Sequence, residues 1–178
     1  MKLDMDKIAV ERFIHVKNLY FLYKPKSLDF EIEAFWLKFY EEVRKLEQTL
    51  VIIKPDGVRR KLVGKIIQRF EERGLIIKKM QQKTLEQPLI REHYAHLKDK
   101  PFFDELVDYM TSGPAIVIIL EQKNVIQIVR KMIGATNASE AEPGTIRGDF
   151  AIGTPENVVH ASDSLESAEI EIRRFFSI

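Results

Sequence analysis

The chain has no cysteine among its 178 residues. That excludes disulfides, thiolate metal sites and cysteine nucleophiles, and it fits a reducing compartment, so a cytoplasmic location is expected. No apolar run reaches the roughly 18 residues of a membrane-spanning helix. The opening segment, MKLDMDKIAVERF, is too charged for the apolar core of a signal peptide, and no membrane partner is expected. Charge of one sign is missing too: Asp, Glu, Lys and Arg make up 31% of the chain yet leave a net +1. No broad basic field points to nucleic acid, and no acidic one to cationic partners. Neither GxxxxGK[ST] nor GxGxxG occurs. A bound nucleotide would therefore be held without either glycine-rich cradle.

Aromatic residues, by contrast, crowd one end. Residues 1–48 hold nine of the 17 in the chain. Within that segment Ile32, Phe35, Trp36, Phe39, Tyr40, Val43 and Leu46 recur at helical spacing, with Ser27, Asp29 and Glu31 placed to open the helix. Pro25 separates it from an earlier apolar piece, 6–23, readable as helix or strand. One amphipathic helix cannot bury its stripe alone. Residues 1–48 are thus expected to form a largely helical packing or oligomerisation arm, a separate ligand-binding module being the alternative.

A different organisation begins at residue 49. Residues 49–54 read as a buried strand, and Lys54-Pro55-Asp56-Gly57 as a turn. A helix carrying Leu62, Ile66, Ile67 and Phe70 ends at Gly74. A strand over 75–82 follows, then two short helices, 89–98 and 102–110, parted by Pro101, and a strand over 115–120. The helix 124–133 is closed by Gly134, and the long irregular stretch 135–145 suggests function rather than mere connection. A short extended piece over 148–152 and a strand over 157–160 complete the pattern. Asp163 and Glu166 mark the start of a last helix, with Leu165, Ala168 and Ile172 at helical spacing. This order predicts an α+β sandwich over 49–178: a ferredoxin-like, four-stranded antiparallel sheet covered by helices on one face.

His160 falls between the fourth strand and the last helix. It is either an ordinary strand-end histidine or a neutral imidazole beside an anion site, with a lone pair able to attack phosphorus. Other residues point towards phosphate. Lys54 follows a buried strand directly; Arg130 lies on a helix, and Arg147 in a glycine-flanked loop. Guanidinium forks suit phosphate oxygens, and Lys supplies a point charge. Thr136 and Asn157 add neutral hydrogen-bonding groups, and Tyr94 and Phe102 offer aromatic faces for a base.

The strings Ile53-Lys54-Pro55-Asp56-Gly57-Val58, His93-Tyr94, Lys98-Asp99-Lys100-Pro101-Phe102-Phe103, Ser112-Gly113-Pro114 and Gly144-Thr145-Ile146-Arg147-Gly148-Asp149-Phe150 occur in that order. They end in Asn157-Val158-Val159-His160-Ala161-Ser162-Asp163. Together they resemble the motifs of nucleoside diphosphate kinases over about residues 49–176. The resemblance implies that His160 is the nucleophile of a ping-pong exchange between nucleoside tri- and diphosphates, phosphorylated on its pros nitrogen. It implies that Lys54, Tyr94, Arg130, Thr136, Arg147 and Asn157 hold the phosphates and sugar, and that Phe102 stacks on the base. By the same resemblance, Glu171 would orient the histidine and Ser162 would support it. The resemblance also implies that Mg²⁺ rides on the phosphates with few or no direct protein ligands, and that the chain forms a homo-oligomer, hexamer or tetramer. Three departures stand out: the extra 48 residues, Ala138 where many relatives carry proline in the assembly loop, and Thr154 at a position often apolar beside the base. A competing reading is a nucleotide-binding regulator whose aromatic arm docks a partner or occludes the cleft. RNA binding by the sheet lacks the interleaved basic and aromatic pattern it requires.

Overall fold

The computed structural model describes residues 46–153 and 155–177. The expected arm thus lies outside the described residues except for its last three positions, and Thr154 lies outside them as well. Those three positions are strand. β1 (Leu46–Ile53) starts with Leu46 paired to Lys123, so Leu46 does not close a helical stripe. With β2 (Ile76–Thr84), β3 (Pro114–Lys123) and β4 (Val159–Ala161) it forms one sheet in the order β2-β3-β1-β4. Every neighbouring pair is antiparallel, as a ferredoxin-like sheet requires.

Helices α1 (Pro55–Arg59), α2 (Val63–Glu72), α3 (Gln87–His93), α4 (Phe103–Thr111), α5 (Val125–Ile133), α6 (Ile146–Phe150) and α7 (Leu165–Phe176) surround it. They cover both faces rather than one. Val51 and Ile53 pack with Ile116 and Ile118 against Ile66 and Phe70 of α2 and Val129 and Ile133 of α5. Leu50 and Ile52 pack with Val117 and Ile119 against Ile90 of α3, Val107 and Met110 of α4, and Phe175 of α7. The reason is in the strands: residues 50–53 are apolar throughout, so neither face of β1 tolerates water.

Three local expectations change. Pro55 does not punctuate a turn but occupies the first position of α1, where its missing N–H costs nothing. Residues 146–150 are helix, not extended. Thr145 Oγ1 accepts from the Gly148 amide at 3.0 Å, while the Asp149 carboxylate accepts from the Gly144 amide at 2.8 Å, so the segment is capped from both directions. At α7 the capping residue is Ser164, whose Oγ accepts from the Ser167 amide at 3.0 Å, and not Asp163. Leu165, the first residue of α7, is exposed, while Ala168 and Ile172 are buried as expected.

One backbone feature positions the end of the sheet. Val158 has φ +57°, a left-handed conformation that β-branched residues rarely adopt. Its carbonyl accepts from the Lys54 amide at 2.9 Å. A Cβ at Gly57 would lie 2.9 Å from Ile53 Cγ2 and 3.2 Å from that same carbonyl. The glycine of the Lys54–Gly57 motif therefore permits the close approach that ties the end of β1 to the segment before β4.

Candidate active site

A cleft of about 860 Å³ opens where these pieces meet. Lys54 enters it from the end of β1, Arg130 from α5, Arg147 from α6, and His160 from the middle of β4, opposite Ile52. Lys54 is buried, and its Nζ donates to Asn157 Oδ1 at 2.6 Å; Asn157 Nδ2 in turn donates to the Thr136 carbonyl at 2.9 Å. Arg147 spans two backbone carbonyls, Gly134 and Val159, each at 2.9 Å, which fixes its plane. Arg130 makes a long contact to the Ala161 carbonyl at 3.5 Å and keeps more freedom.

Packing of this kind disfavours the charged forms of Lys54 and Arg147. Burial, and then Arg147, push the Lys54 ammonium down to about 7, with Asp56 opposing. Burial and Arg130 bring Arg147 down to about 10. Asp56 is itself fully buried and accepts a hydrogen bond from the Tyr109 hydroxyl. Such a set suits a ligand with several anionic oxygens, which would stabilise all three charged forms at once.

The imidazole of His160 is held from one side. Its Nε2 lies 3.1 and 3.2 Å from the two carboxylate oxygens of Glu171, two turns into α7. Ser162 Oγ donates to the same carboxylate at 2.6 Å and accepts from the Leu50 amide at 3.2 Å, so Glu171 is anchored to the sheet. Burial alone would raise the Glu171 carboxyl; the hydrogen bonds from His160 and Ser162 and the neighbouring imidazoles outweigh it, and the group lies below its ordinary range. A carboxylate acceptor makes Nε2 the protonated nitrogen and leaves the lone pair on Nδ1. Tyr94 presents a T-shaped contact to the ring at 6.1 Å. Phe102, about half exposed at the mouth, offers an open aromatic face.

The family model for nucleoside diphosphate kinase matches residues 47–178. The chain belongs to the nucleoside diphosphate kinase family. A nucleoside diphosphate kinase of Acetivibrio thermocellus is 55% identical over 131 residues, covering 74% of this chain and 96% of the relative. One from Methanocaldococcus jannaschii is 55% identical over 130 residues, 73% of this chain and 93% of the relative. Among solved structures, the apo enzyme of Encephalitozoon cuniculi superposes with a TM-score of 0.73 at 41% identity, covering 74% of this chain and 90% of that one. The Halobacterium salinarum enzyme in complex with CDP gives 0.72 at 42% identity, with 74% and 88% covered.

The motif residues singled out from the nucleoside diphosphate kinase resemblance, far apart in the chain, converge. Lys54, Tyr94, Phe102, Arg130, Thr136 and Arg147 all line the cleft, as do Asn157, His160 and Glu171. Ser162 stands behind Glu171 rather than on the wall. Among the cleft residues given no role in the sequence is His93. Its side chain is 2% exposed, its ring packs edge-on against His160 at 4.7 Å and Phe175 at 5.0 Å, and neither ring nitrogen has a hydrogen-bond partner. Burial, and then His160, hold its imidazole down to about 3, hence neutral. Its place next to Tyr94 in the family motif was the available signal.

Proposed function

We propose that the chain passes the γ-phosphoryl group of a nucleoside triphosphate, typically ATP, to a nucleoside or deoxynucleoside diphosphate by way of His160. The observation that carries this reading is the pairing of His160 Nε2 with Glu171, which leaves Nδ1 the nucleophile at a cation-lined cleft. The Nδ1 lone pair attacks the γ-phosphorus, an N–P bond forms, and the bridging P–O bond breaks with its electrons left on the departing diphosphate. Glu171 stabilises the positive charge that develops on the ring, and Ser162 holds the carboxylate for that task. Lys54, Arg130 and Arg147 neutralise the phosphoryl oxygens; Thr136 and Asn157 fix the tail; Tyr94 closes it against the ring. The second half-reaction runs the same steps backwards onto a different diphosphate. Phe102 stacks on the base without reading its edge, so every base is accepted.

Mg²⁺ fits as part of the substrate. Among the described residues the one cluster of three metal-capable side chains is His93, His160 and Glu171, and two imidazoles are poor ligands for an ion that prefers oxygen and water. The ion, when present on the phosphates, spreads their negative charge. A homo-oligomer is supported by Ile76 and Met80, half exposed on edge strand β2. No helix among the described residues is long and apolar enough to cross a membrane.

The test is direct. Incubation with Mg-ATP is expected to give an acid-labile phosphoprotein that GDP or CDP discharges. Absence of label, or label persisting in His160→Ala, would overturn the assignment.

A further inference from the structure

Among the described residues, His93 is the one buried histidine that the phosphoryl-transfer steps leave unused. Its Nδ1 lies 3.9 Å from Glu171 Oε1, whose carboxylate is 3.1 Å from His160 Nε2. One nitrogen from each imidazole and one carboxylate oxygen fall within 4.8 Å of one another. Tetrahedral zinc with bonds of about 2.0–2.1 Å spaces its ligand atoms at roughly 3.4 Å, so the widest pair must close by up to about 1.4 Å, shared between two side chains. Two imidazoles and one carboxylate form a donor set that suits Zn²⁺ or Co²⁺ and not Mg²⁺. His93 has no hydrogen bond to surrender on binding.

We propose that His93, His160 and Glu171 form an inhibitory site for a borderline transition-metal cation, with Zn²⁺ as its ligand. The block follows from tautomer chemistry. Free His160 carries its proton on Nε2 and its lone pair on Nδ1. To coordinate through Nε2, the ring must move that proton to Nδ1, which removes the nucleophilic lone pair. His93 binds through Nδ1 with its proton on Nε2, Glu171 supplies one oxygen, and water leaves the metal; no electron is transferred. The nearby Lys54, Arg130, Arg147 and Arg174 repel a cation, so affinity is set well below that of structural zinc sites. Inhibition is therefore a response to raised free metal, separate from the Mg²⁺ that accompanies the nucleotide.

The inhibitory consequence rests on His160 being the phosphoryl acceptor; the metal site itself does not. Two measurements on the full chain keep them apart. Titration with Co²⁺ alone is expected to give the intense visible bands of a four-coordinate site, displaced by Zn²⁺ and diminished in His93→Gln. With buffered free Zn²⁺ and excess Mg-ATP, phosphorylation of the wild type is expected to fall and to return with EDTA. The Zn²⁺ concentration for half-inhibition rises at least about tenfold in His93→Gln, the smaller end of what disturbed zinc shells show. Thermal unfolding checks that the variant is folded, and Glu171→Gln in the Co²⁺ titration decides the matter if it is not. Absence of four-coordinate bands in the wild type, unchanged bands in the folded variant, or equal half-inhibition in both proteins would overturn the site.

Discussion

Lys54 shows how a single buried charge links pH to binding. Its ammonium is lowered to about 7, so in the free protein the side chain is largely neutral above that pH. A polyphosphate favours the charged form, so binding above pH 7 takes up a proton. Affinity for nucleoside diphosphate is then expected to fall as pH rises, by up to about tenfold per unit, and to be nearly flat below pH 7 on this account. Calorimetric titrations from about pH 6 to about pH 9, in buffers of different ionisation enthalpy, check both slope and proton uptake. A pH-independent affinity would separate Lys54 from the phosphates. Arg147 gives a second test. Held by the Gly134 and Val159 carbonyls, it is preorganised for a planar, charged target. Arg147→Ala is expected to lower turnover on the order of 10²-fold, the usual effect of removing one transition-state donor. Steady-state kinetics with Mg-ATP and a diphosphate acceptor would show it.

At the scale of elements, the junction between β1, α1 and β4 carries the site's geometry. Gly57 and the left-handed Val158 approach so closely that a methyl group meets Ile53 Cγ2 and the Val158 carbonyl. Gly57→Ala is expected to destabilise by about 1–3 kcal/mol, the range for overpacking, and to displace Lys54 by way of its bond to that carbonyl. Chemical denaturation reads the first effect, and a raised KM for nucleotide the second. The elements themselves were unequally legible. Strands β1 and β3 each contain a continuous apolar run, 50–53 and 115–120, and were found within a few residues. The α6 helix was misread because its five residues contain no periodicity; what folds it is the reciprocal capping of Thr145 and Asp149, a matter of geometry. Leu165 shares the stripe of Ala168 and Ile172 by angle, but it is the first residue of α7 and stays exposed there, a matter of where the helix begins and not of its periodicity.

For the molecule as a whole, residues 46–177 close two hydrophobic cores, one on each face of the sheet. The Acetivibrio relative is matched over 96% of its length by the corresponding region, so that relative consists of little else. A chain starting at Lys45 is therefore expected to fold and to accept phosphate from Mg-ATP. One starting at Gln48 would cut the Leu46–Lys123 and Glu47–Gln122 pairs from β1 and be less stable. Comparing unfolding midpoints, activity and mass in solution for full-length and shortened chains tests this. Equal activity and mass with and without residues 1–44 would remove the regulator reading and the assembly role of the arm together.

The order of elements along the chain predicted the antiparallel sheet, and the resemblance of the motifs pointed to the family and named the candidate site residues, because both depend on local chemistry repeated in order along the chain. The second covered face, the tautomer of His160 and the presence of His93 beside it were decided only in three dimensions. The tautomer is set by Glu171 across the β4–α7 junction, and His93 reaches the same ring from α3, far earlier in the chain. Which nitrogen keeps a proton, and which buried ring lacks a partner, depends on distances that no linear pattern encodes.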